Sequence, residues 1–193
     1  MSYKTDSFDD EVVSILRSGG AGFMPSDTVY GLSVRAMDEA AVQKLHAVKL
    51  RDEGKPFIIL VSNPDQLHTL GVDSSLGERL MNNFWPGPLT IVLPAPAAPR
   101  WLTQGLDTLA VRLPDDKELI NLIDQVGPIV STSANESGAP IIDTADEAIK
   151  TFDDRLDFYV DAGELPARQP STIVKPTASG IEILRQGAVR INI

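Results

Sequence analysis

The spacing of apolar residues along the chain changes repeatedly between that of a helix and that of a strand. Apolar residues three or four positions apart predict helices at 7–19, 38–48, 115–126 and after Thr144, with another beginning at Asn63–Pro64. Short continuous apolar runs predict strands at 21–25, 57–61, 89–93, 109–113, 129–131, 158–161, 172–175 and 181–184. Because strands alternate with helices but the late connections are too short for helical crossovers, we predict an α/β fold with a mixed sheet.

Polar residues at the predicted helix ends support these boundaries. Ser7, with Asp10 three residues later, predicts the beginning of the first helix, and Gly19–Gly20 would end it. Thr144 and Glu147 form a capping box ahead of the last helix. The local sequence therefore agrees with the apolar spacing at both ends of the chain.

The pattern predicts neither a second domain nor a membrane span. No internal repeat or low-complexity linker interrupts it. No run of about 18 apolar residues is present, and the first residues lack the apolar core of a secretory signal. We therefore expect residues 1–193 to form one domain of a cytoplasmic protein.

Composition excludes several classes of chemistry. The 193 residues include no cysteine and two histidines, which excludes disulfides, thiolate zinc sites, iron–sulfur clusters and a cysteine nucleophile. The chain also lacks the phosphate loop GxxxxGK(S/T), the dinucleotide turn GxGxxG, the hydrolase elbow GxSxG and the metalloprotease motif HExxH. The common ATPase, dehydrogenase and esterase families are therefore disfavoured.

The charge balance weighs against binding nucleic acid through the outer surface. There are 17 Lys and Arg against 27 Asp and Glu, a net charge of −10, and a surface of that sign repels phosphates. The aromatic residues (two Trp, three Tyr and six Phe) leave few for stacking on RNA bases. A small basic pocket inside an acidic shell remains compatible with this balance.

Polar clusters follow two of the predicted strands. The first, Pro25–Leu32, places two hydroxyls, a carboxylate and a glycine after the strand at 21–25. Such a group suits a small polar ligand, although an ordinary turn is the simpler interpretation. The second, Ser131–Gly138, supplies short hydroxyls and an amide at the carboxyl end of a strand, where open α/β sheets bind ligands; it also fits a plain loop.

Cations are concentrated ahead of an apolar strand. Lys49, Arg51 and Lys55 lie within seven residues, which favours either a phosphate clamp or interaction with the carboxyl end of a helix. Arg112 lies between two apolar residues of a predicted strand. It therefore requires a partner, either an internal carboxylate or an anionic ligand.

Taken together, seven ordered motifs resemble the YrdC-like threonylcarbamoyl-AMP synthase family: PSDTVYGL, KLRDEGKP, WPGPLT, AVRLP, STSANESG, PSTIV and LRQG. The resemblance runs from about Ser14 to Arg190. It implies a twisted, mixed α/β sheet around a large, concave, positively charged cavity. It also implies an enzyme that joins L-threonine, bicarbonate or CO2, and ATP into threonylcarbamoyl-AMP and pyrophosphate, for the threonylcarbamoyladenosine modification of tRNA.

The resemblance assigns roles to the residues that match its motifs. It places threonine against Ser26, Arg112, Ser131 and Ser171. It places ATP against Lys49, Arg51, Lys55, Thr108, Ser133, Asn135 and Arg185, with Lys49 and Arg51 as the catalytic cations. Mg²⁺ is expected to be carried by the ATP phosphates, without a metal site on the protein. Ser26 stands where family members usually carry threonine, so one methyl contact to the substrate is lost.

The resemblance also implies partners, and it leaves two alternatives open. The expected partners are the downstream enzymes that transfer the threonylcarbamoyl group to tRNA. One alternative is an RNA-binding or ribosome-associated module on the same fold, which would bind RNA weakly and lack synthase activity. The other is a paralogous subgroup without synthase activity, whose members tend to lose the Lys-x-Arg pair and the Ser-x-Asn segment. Both are present here, at 49/51 and 133/135, which favours the synthase.

Overall fold

The computed structural model describes residues 2–49, 57–165 and 169–191, and one continuous sheet crosses it. Its ten strands are β1 (Tyr3–Thr5), β2 (Gly22–Met24), β3 (Gly31–Arg35), β4 (Ile58–Leu60), β5 (Leu89–Pro94), β6 (Thr108–Arg112), β7 (Ile129–Ser133), β8 (Phe158–Val160), β9 (Thr172–Thr177) and β10 (Gly180–Arg185). They lie side by side in the order β1-β8-β2-β3-β7-β4-β6-β5-β9-β10. The order departs from the chain sequence because helices and long loops return the chain across the sheet.

Helices connect many of these strands. The described residues form α1 (Asp10–Arg17), α2 (Glu39–Lys49), α3 (Gln66–Thr69), α4 (Glu78–Phe84), α5 (Arg100–Thr103), α6 (Lys117–Val126) and α7 (Ala145–Phe152), with single 3-10 turns at Ser75–Gly77 and Asp153–Arg155. Within these ranges, no helix has the length and apolar character that crossing a bilayer requires.

The sheet is mixed, as the apolar pattern predicts. Pairs β1–β8, β2–β8, β4–β6 and β5–β9 are parallel. Pairs β2–β3, β3–β7, β4–β7, β5–β6 and β9–β10 are antiparallel. The antiparallel pair β9–β10 is a direct hairpin, which agrees with the short late connections in the sequence. The predicted α/β fold with a mixed sheet is confirmed.

Apolar side chains cover both faces of the central strands. On one face, α1 and α6 pack over a cluster that includes Leu60, Ile129 and Phe158. On the other face, a larger cluster includes Phe23 and Ile59. Because Ile59 and Leu60 are consecutive in β4, they point to opposite faces. Burial on both faces explains why this strand is a continuous apolar run in the sequence.

The ends of the helices confirm one predicted cap and correct another. Thr144 Oγ1 accepts a hydrogen bond from the Glu147 amide at 3.3 Å, as predicted for α7. The predicted cap of α1 is wrong, because Asp9 rather than Ser7 caps the helix, its carboxylate accepting from the Val12 amide at 3.0 Å. Two residues that both favour N-caps stand close together, and the extended backbone of Asp9 decides between them.

Four elements, β1, β3, α4 and α5, have no counterpart in the predicted pattern. Strand β3 was obscured because Ser33 and Arg35 interrupt its apolar residues. Strand β1 is a short polar strand that pairs with β8 alone. Short strands at an edge carry little periodic signal, because their outer side chains face solvent.

Candidate active site

Side chains from neighbouring strands project from one face of the sheet into a common space. Directly paired residues share a face, and the register places Ser131 of β7 opposite Ile58 of β4, which is opposite Ala110 of β6. Alternate residues of a strand also share a face, so Ser133 and Arg112 lie on this side as well. Residues far apart in the chain are thereby collected on one surface.

This surface forms the floor of a cavity of about 250 Å³. Its wall includes the turn after β2, the beginning of β4, the ends of β6 and β7, and the segments beside β9 and β10. Six of the residues that the sequence resemblance assigns to the site line it: Ser26, Arg112, Ser131, Ser133, Ser171 and Arg185.

A tight turn after β2 presents Ser26 to the cavity. The Ser26 hydroxyl donates to the Val29 carbonyl oxygen at 2.7 Å and lies 3.1 Å from Thr28 Oγ1. Gly31 then begins β3, where a Cβ atom would lie 2.8 Å from the Thr132 carbonyl oxygen. The turn therefore satisfies its own polar groups, and the glycine lets β3 approach β7 closely. The interpretation of Pro25–Leu32 as an ordered turn is confirmed, and binding of a small polar ligand there stays a prediction.

Arg112 is paired with a carboxylate inside the protein. Its Nη2 donates to Asp27 Oδ1 at 2.8 Å, and the two side chains are 4% and 2% exposed. Burial lowers the pKa of Arg112, and the negative charge of Asp27 opposes that shift. Among the described residues, no acceptor lies within hydrogen-bond reach of the buried Nε of Arg112. Of the two partners that the sequence allows, the internal carboxylate is present, and the guanidinium still faces the cavity.

A second guanidinium lies against Ser171. Arg185 donates from Nε and Nη2 to the Ser171 carbonyl oxygen, at 3.1 and 2.9 Å, and from Nη2 to Ser171 Oγ at 3.1 Å. Burial and the nearby charge of Arg112 both lower the pKa of Arg185. Two guanidinium groups therefore face one cavity and repel each other, an arrangement that a bound anion would relieve.

The third cation is the buried ammonium group of Lys49, at the carboxyl end of α2. Its Nζ donates to the Ser133 carbonyl oxygen, to Ser133 Oγ at 3.2 Å and to Asn135 Oδ1. The Asn135 amide is itself held by the Ala139 carbonyl oxygen at 2.6 Å. Lys49 and Asn135 thus reach the cavity through Ser133, which lines it.

Three predicted residues, Arg51, Lys55 and Thr108, remain to be placed. Arg51 and Lys55 lie outside the described residues. Thr108 begins β6 on the same face as Arg112, four residues earlier, but does not line the cavity. Its contact with a nucleotide stays a prediction. No three His, Cys, Asp or Glu side chains in the described part of the chain gather as a metal site would require.

Three residues that support the site were missed in the sequence. Thr90 is wholly buried in β5 and lies 2.8 Å from Ser171, oxygen to oxygen. Thr172 Oγ1 accepts from the amides of Gly187 and Val189, at 3.0 Å each, and so fixes the chain after Arg185. The signal for both threonines was a polar residue within or at the beginning of an apolar strand, which needs a partner when buried. Gly187 gives no such signal.

Comparison with known proteins gives consistent matches over most of the chain. A family model for Sua5, YciO and YrdC proteins, described as telomere recombination, matches residues 14–187. A threonylcarbamoyl-AMP synthase of Pyrococcus abyssi is 37% identical over 177 residues, 90% of this chain and 52% of the relative. One from an Enterobacter species is 36% identical over 182 residues, 92% of this chain and 94% of the relative. The crystal structure of P. abyssi Sua5 complexed with L-threonine has a TM-score of 0.86 at 33% identity, over 97% of this chain and 57% of that chain.

These matches agree in extent and in fold. The chain spans about half the length of the P. abyssi relative and nearly all of the Enterobacter relative. The match to the family model begins within α1 and ends just after β10, so it includes every cavity-lining residue of the described structure. The chain belongs to the Sua5/YciO/YrdC family.

Proposed function

We propose that this protein is an L-threonylcarbamoyladenylate synthase, a nucleotidyltransferase that forms threonylcarbamoyl-AMP and pyrophosphate from L-threonine, bicarbonate or CO2, and ATP. The observation that carries the proposal is the cavity that Arg112, Arg185 and Ser171 line together, with Arg185 bound to Ser171. Two cations and several short hydroxyls in one cavity suit a substrate that is anionic and also rich in hydrogen-bonding groups. The threonylcarbamoyl-AMP synthases among its relatives support the same assignment.

The end of the cavity nearest Arg112 suits the amino acid. The guanidinium of Arg112 would neutralise the threonine carboxylate, and the hydroxyls of Ser26, Ser131 and Ser171 would form hydrogen bonds with the polar groups of the amino acid. The crystal structure of the P. abyssi relative was determined with L-threonine bound. Because the hydrogen bond to Asp27 already fixes the Arg112 side chain, substrate binding does not have to order it.

The remaining cations of the site suit the phosphates of ATP. Lys49 donates a hydrogen bond to Ser133, and Arg185 donates one to Ser171. By resemblance, Arg51, Lys55 and Thr108 would complete the nucleotide site. Mg²⁺ would enter with ATP as part of the substrate, since a magnesium ion on phosphates needs few protein ligands.

The reaction requires positioning and charge neutralisation rather than a covalent nucleophile. The threonine amine adds to CO2 and loses a proton, which gives a carbamate. A carbamate oxygen then attacks the α-phosphorus of ATP, and pyrophosphate leaves with the electron pair of the broken P–O bond. Buried cations stabilise the charge that develops on the phosphate oxygens, because they act in a site with little competing water. The lack of cysteine is consistent with this chemistry.

The product would serve tRNA modification in the cytoplasm. Threonylcarbamoyl-AMP is a mixed anhydride, so a second enzyme can transfer its threonylcarbamoyl group to an adenosine of tRNA. The synthase step itself takes place on small molecules, which agrees with a chain whose net charge of −10 disfavours RNA on its outer surface.

The test is pyrophosphate release from ATP in the presence of bicarbonate and Mg²⁺, with and without L-threonine. We expect release that depends on threonine, and its abolition in Lys49→Ala and in Arg51→Ala, both still folded by circular dichroism. Release that is independent of threonine would contradict the proposed function. Wild-type rates in both variants would contradict the role of these cations at the phosphates. The alternative, an RNA-binding module, is tested by a gel-shift titration with tRNA at a stated salt concentration.

A further inference from the structure

The hydroxyl of Ser171 has two close neighbours that are fixed by the protein. Arg185 Nη2 lies 3.1 Å from Ser171 Oγ, and Thr90 Oγ1 lies 2.8 Å from it. Ser171 is 1% exposed and Thr90 is wholly buried. Ser171 lines the cavity, whereas Thr90 lies behind it in β5.

The direction of the hydrogen bond between the two hydroxyls follows from burial. In the described structure Thr90 Oγ1 has one hydrogen-bond partner, which is Ser171 Oγ. If Ser171 donated to Thr90, the hydrogen of the buried Thr90 hydroxyl would have no acceptor, and an unmade buried hydrogen bond costs about 1–3 kcal/mol. Thr90 therefore donates, and Ser171 accepts.

The guanidinium of Arg185 uses the other lone pair of Ser171. An arginine can only donate, so Ser171 Oγ accepts from Arg185 as well as from Thr90. A hydroxyl oxygen has two lone pairs and one hydrogen, and both lone pairs are now used. No acceptor for the Ser171 hydrogen is present among the described residues, so that hydrogen is left to a ligand in the cavity.

We propose that Thr90 is a positioning residue that makes Ser171 an obligate hydrogen-bond donor toward the carboxylate of the bound amino acid. The inference rests on the proposed function for the identity of the substrate. An obligate donor can bind carboxylate oxygens, but it has no lone pair left to accept a hydrogen bond from an ammonium group. Thr90 thereby helps to decide which end of the amino acid lies at Ser171, although it touches no substrate itself.

The experiment is a double-mutant cycle on L-threonine binding, measured by isothermal titration calorimetry. We expect Thr90→Val to weaken threonine binding roughly tenfold, because the Ser171 hydroxyl loses the donor that polarises and orients it. Thr90→Ser, which keeps the hydroxyl, should restore binding. In a Ser171→Ala background, Thr90→Val should weaken binding no further, since there is no serine hydroxyl left to orient. Thr103→Val, a buried substitution in α5 away from the cavity, should leave the affinity unchanged.

Two results would overturn the inference. One is wild-type threonine affinity in Thr90→Val. The other is an equal loss of affinity from Thr90→Val with and without Ser171, which would mean that Thr90 acts through the fold in general. A wild-type protein that binds no threonine at all gives a different pattern. It would reject the proposed function first, and the inference along with it.

Discussion

Arg112 and Asp27, which are 85 residues apart in the chain, form a buried ion pair in which Nη2 and Oδ1 lie 2.8 Å apart. A buried pair contributes little net stability, because both charges have lost their water. Breaking it is expensive, because the remaining charge is then buried alone. The pair therefore fixes an arginine at the cavity wall, where a site for an anion needs one.

Substitution of Asp27 by Asn should damage both stability and substrate binding. The variant keeps the shape of the side chain but leaves the Arg112 charge without its carboxylate, so we expect a loss of about 3–5 kcal/mol in the free energy of unfolding. Urea denaturation measures this loss.

Glu136→Gln is the control, because Glu136 pairs with Arg155 at 2.9 Å with both side chains 37% exposed. An exposed pair should cost less than about 1 kcal/mol. Equal losses in the two variants would contradict the special role of burial.

Substitution of Lys49 by Met should remove activity while the protein stays folded. Methionine has a similar length but no charge, so the cation that Ser133 and Asn135 hold would be lost. We expect turnover to fall by about 100-fold or more, the usual effect of removing one charge-stabilising group. Lys44→Met is the matched control on the same helix, since Lys44 forms a half-exposed pair with Asp157 away from the cavity. Similar turnover in the two variants would remove Lys49 from the mechanism.

Substitution of Gly187 by Ala should displace Arg185. A Cβ atom at Gly187 would lie 2.1 Å from the Pro170 carbonyl oxygen, so the backbone on one side must move. We expect turnover to fall and the Michaelis constant for ATP to rise, measured by pyrophosphate release. Gly127→Ala is the control, because φ is +83° there and no atom lies within 4 Å of the added Cβ. Both variants lose about 1–3 kcal/mol of stability, but the control should keep its kinetics. Normal kinetics in Gly187→Ala would show that the close approach does not position Arg185.

The stability of the protein should fall at alkaline pH because of Tyr159. Burial raises the pKa of Tyr159 from 10.0 to about 12, so the folded state holds the phenol proton more tightly than the unfolded state does. This difference contributes about 2–3 kcal/mol to the free energy of unfolding below pH 10, and the contribution is lost as the pH rises toward 12. The unfolding free energy of wild type should therefore fall relative to that of Tyr159→Phe over this range. Parallel pH profiles would contradict the assignment.

The fold and the cavity wall could be predicted from the sequence to different degrees. Strand β4 was predicted because burial on both faces makes it a continuous apolar run, whereas the partly polar β3 was missed. Ser26 and Ser131 lie in polar clusters that follow predicted strands, and the family resemblance added Ser171, so their place at the cavity could be predicted. Local patterns of this kind can be recognised in the sequence because they depend only on residues that are close together in the chain.

The partners of the buried polar groups could not be predicted. Arg112 was expected to need either a carboxylate or a ligand, but the choice of Asp27 depends on the sheet order, which brings two distant segments together. Thr90 and Ser171 meet for the same reason, because β5 and β9 are neighbours in the sheet although far apart in the chain. Such pairings are properties of the tertiary fold rather than of any single motif.

The central claim concerns the chemistry in the cavity, and isotope transfer tests it most directly. The protein would be incubated with L-threonine, MgATP and ¹³C-labelled bicarbonate, and the products analysed by mass spectrometry. We expect threonylcarbamoyl-AMP that carries the ¹³C label, formed together with an equal amount of pyrophosphate and absent when threonine is omitted. ATP consumption without a labelled adenylate, or no reaction at all under these conditions, would contradict the assignment of this cavity as a threonylcarbamoyl-AMP synthase site.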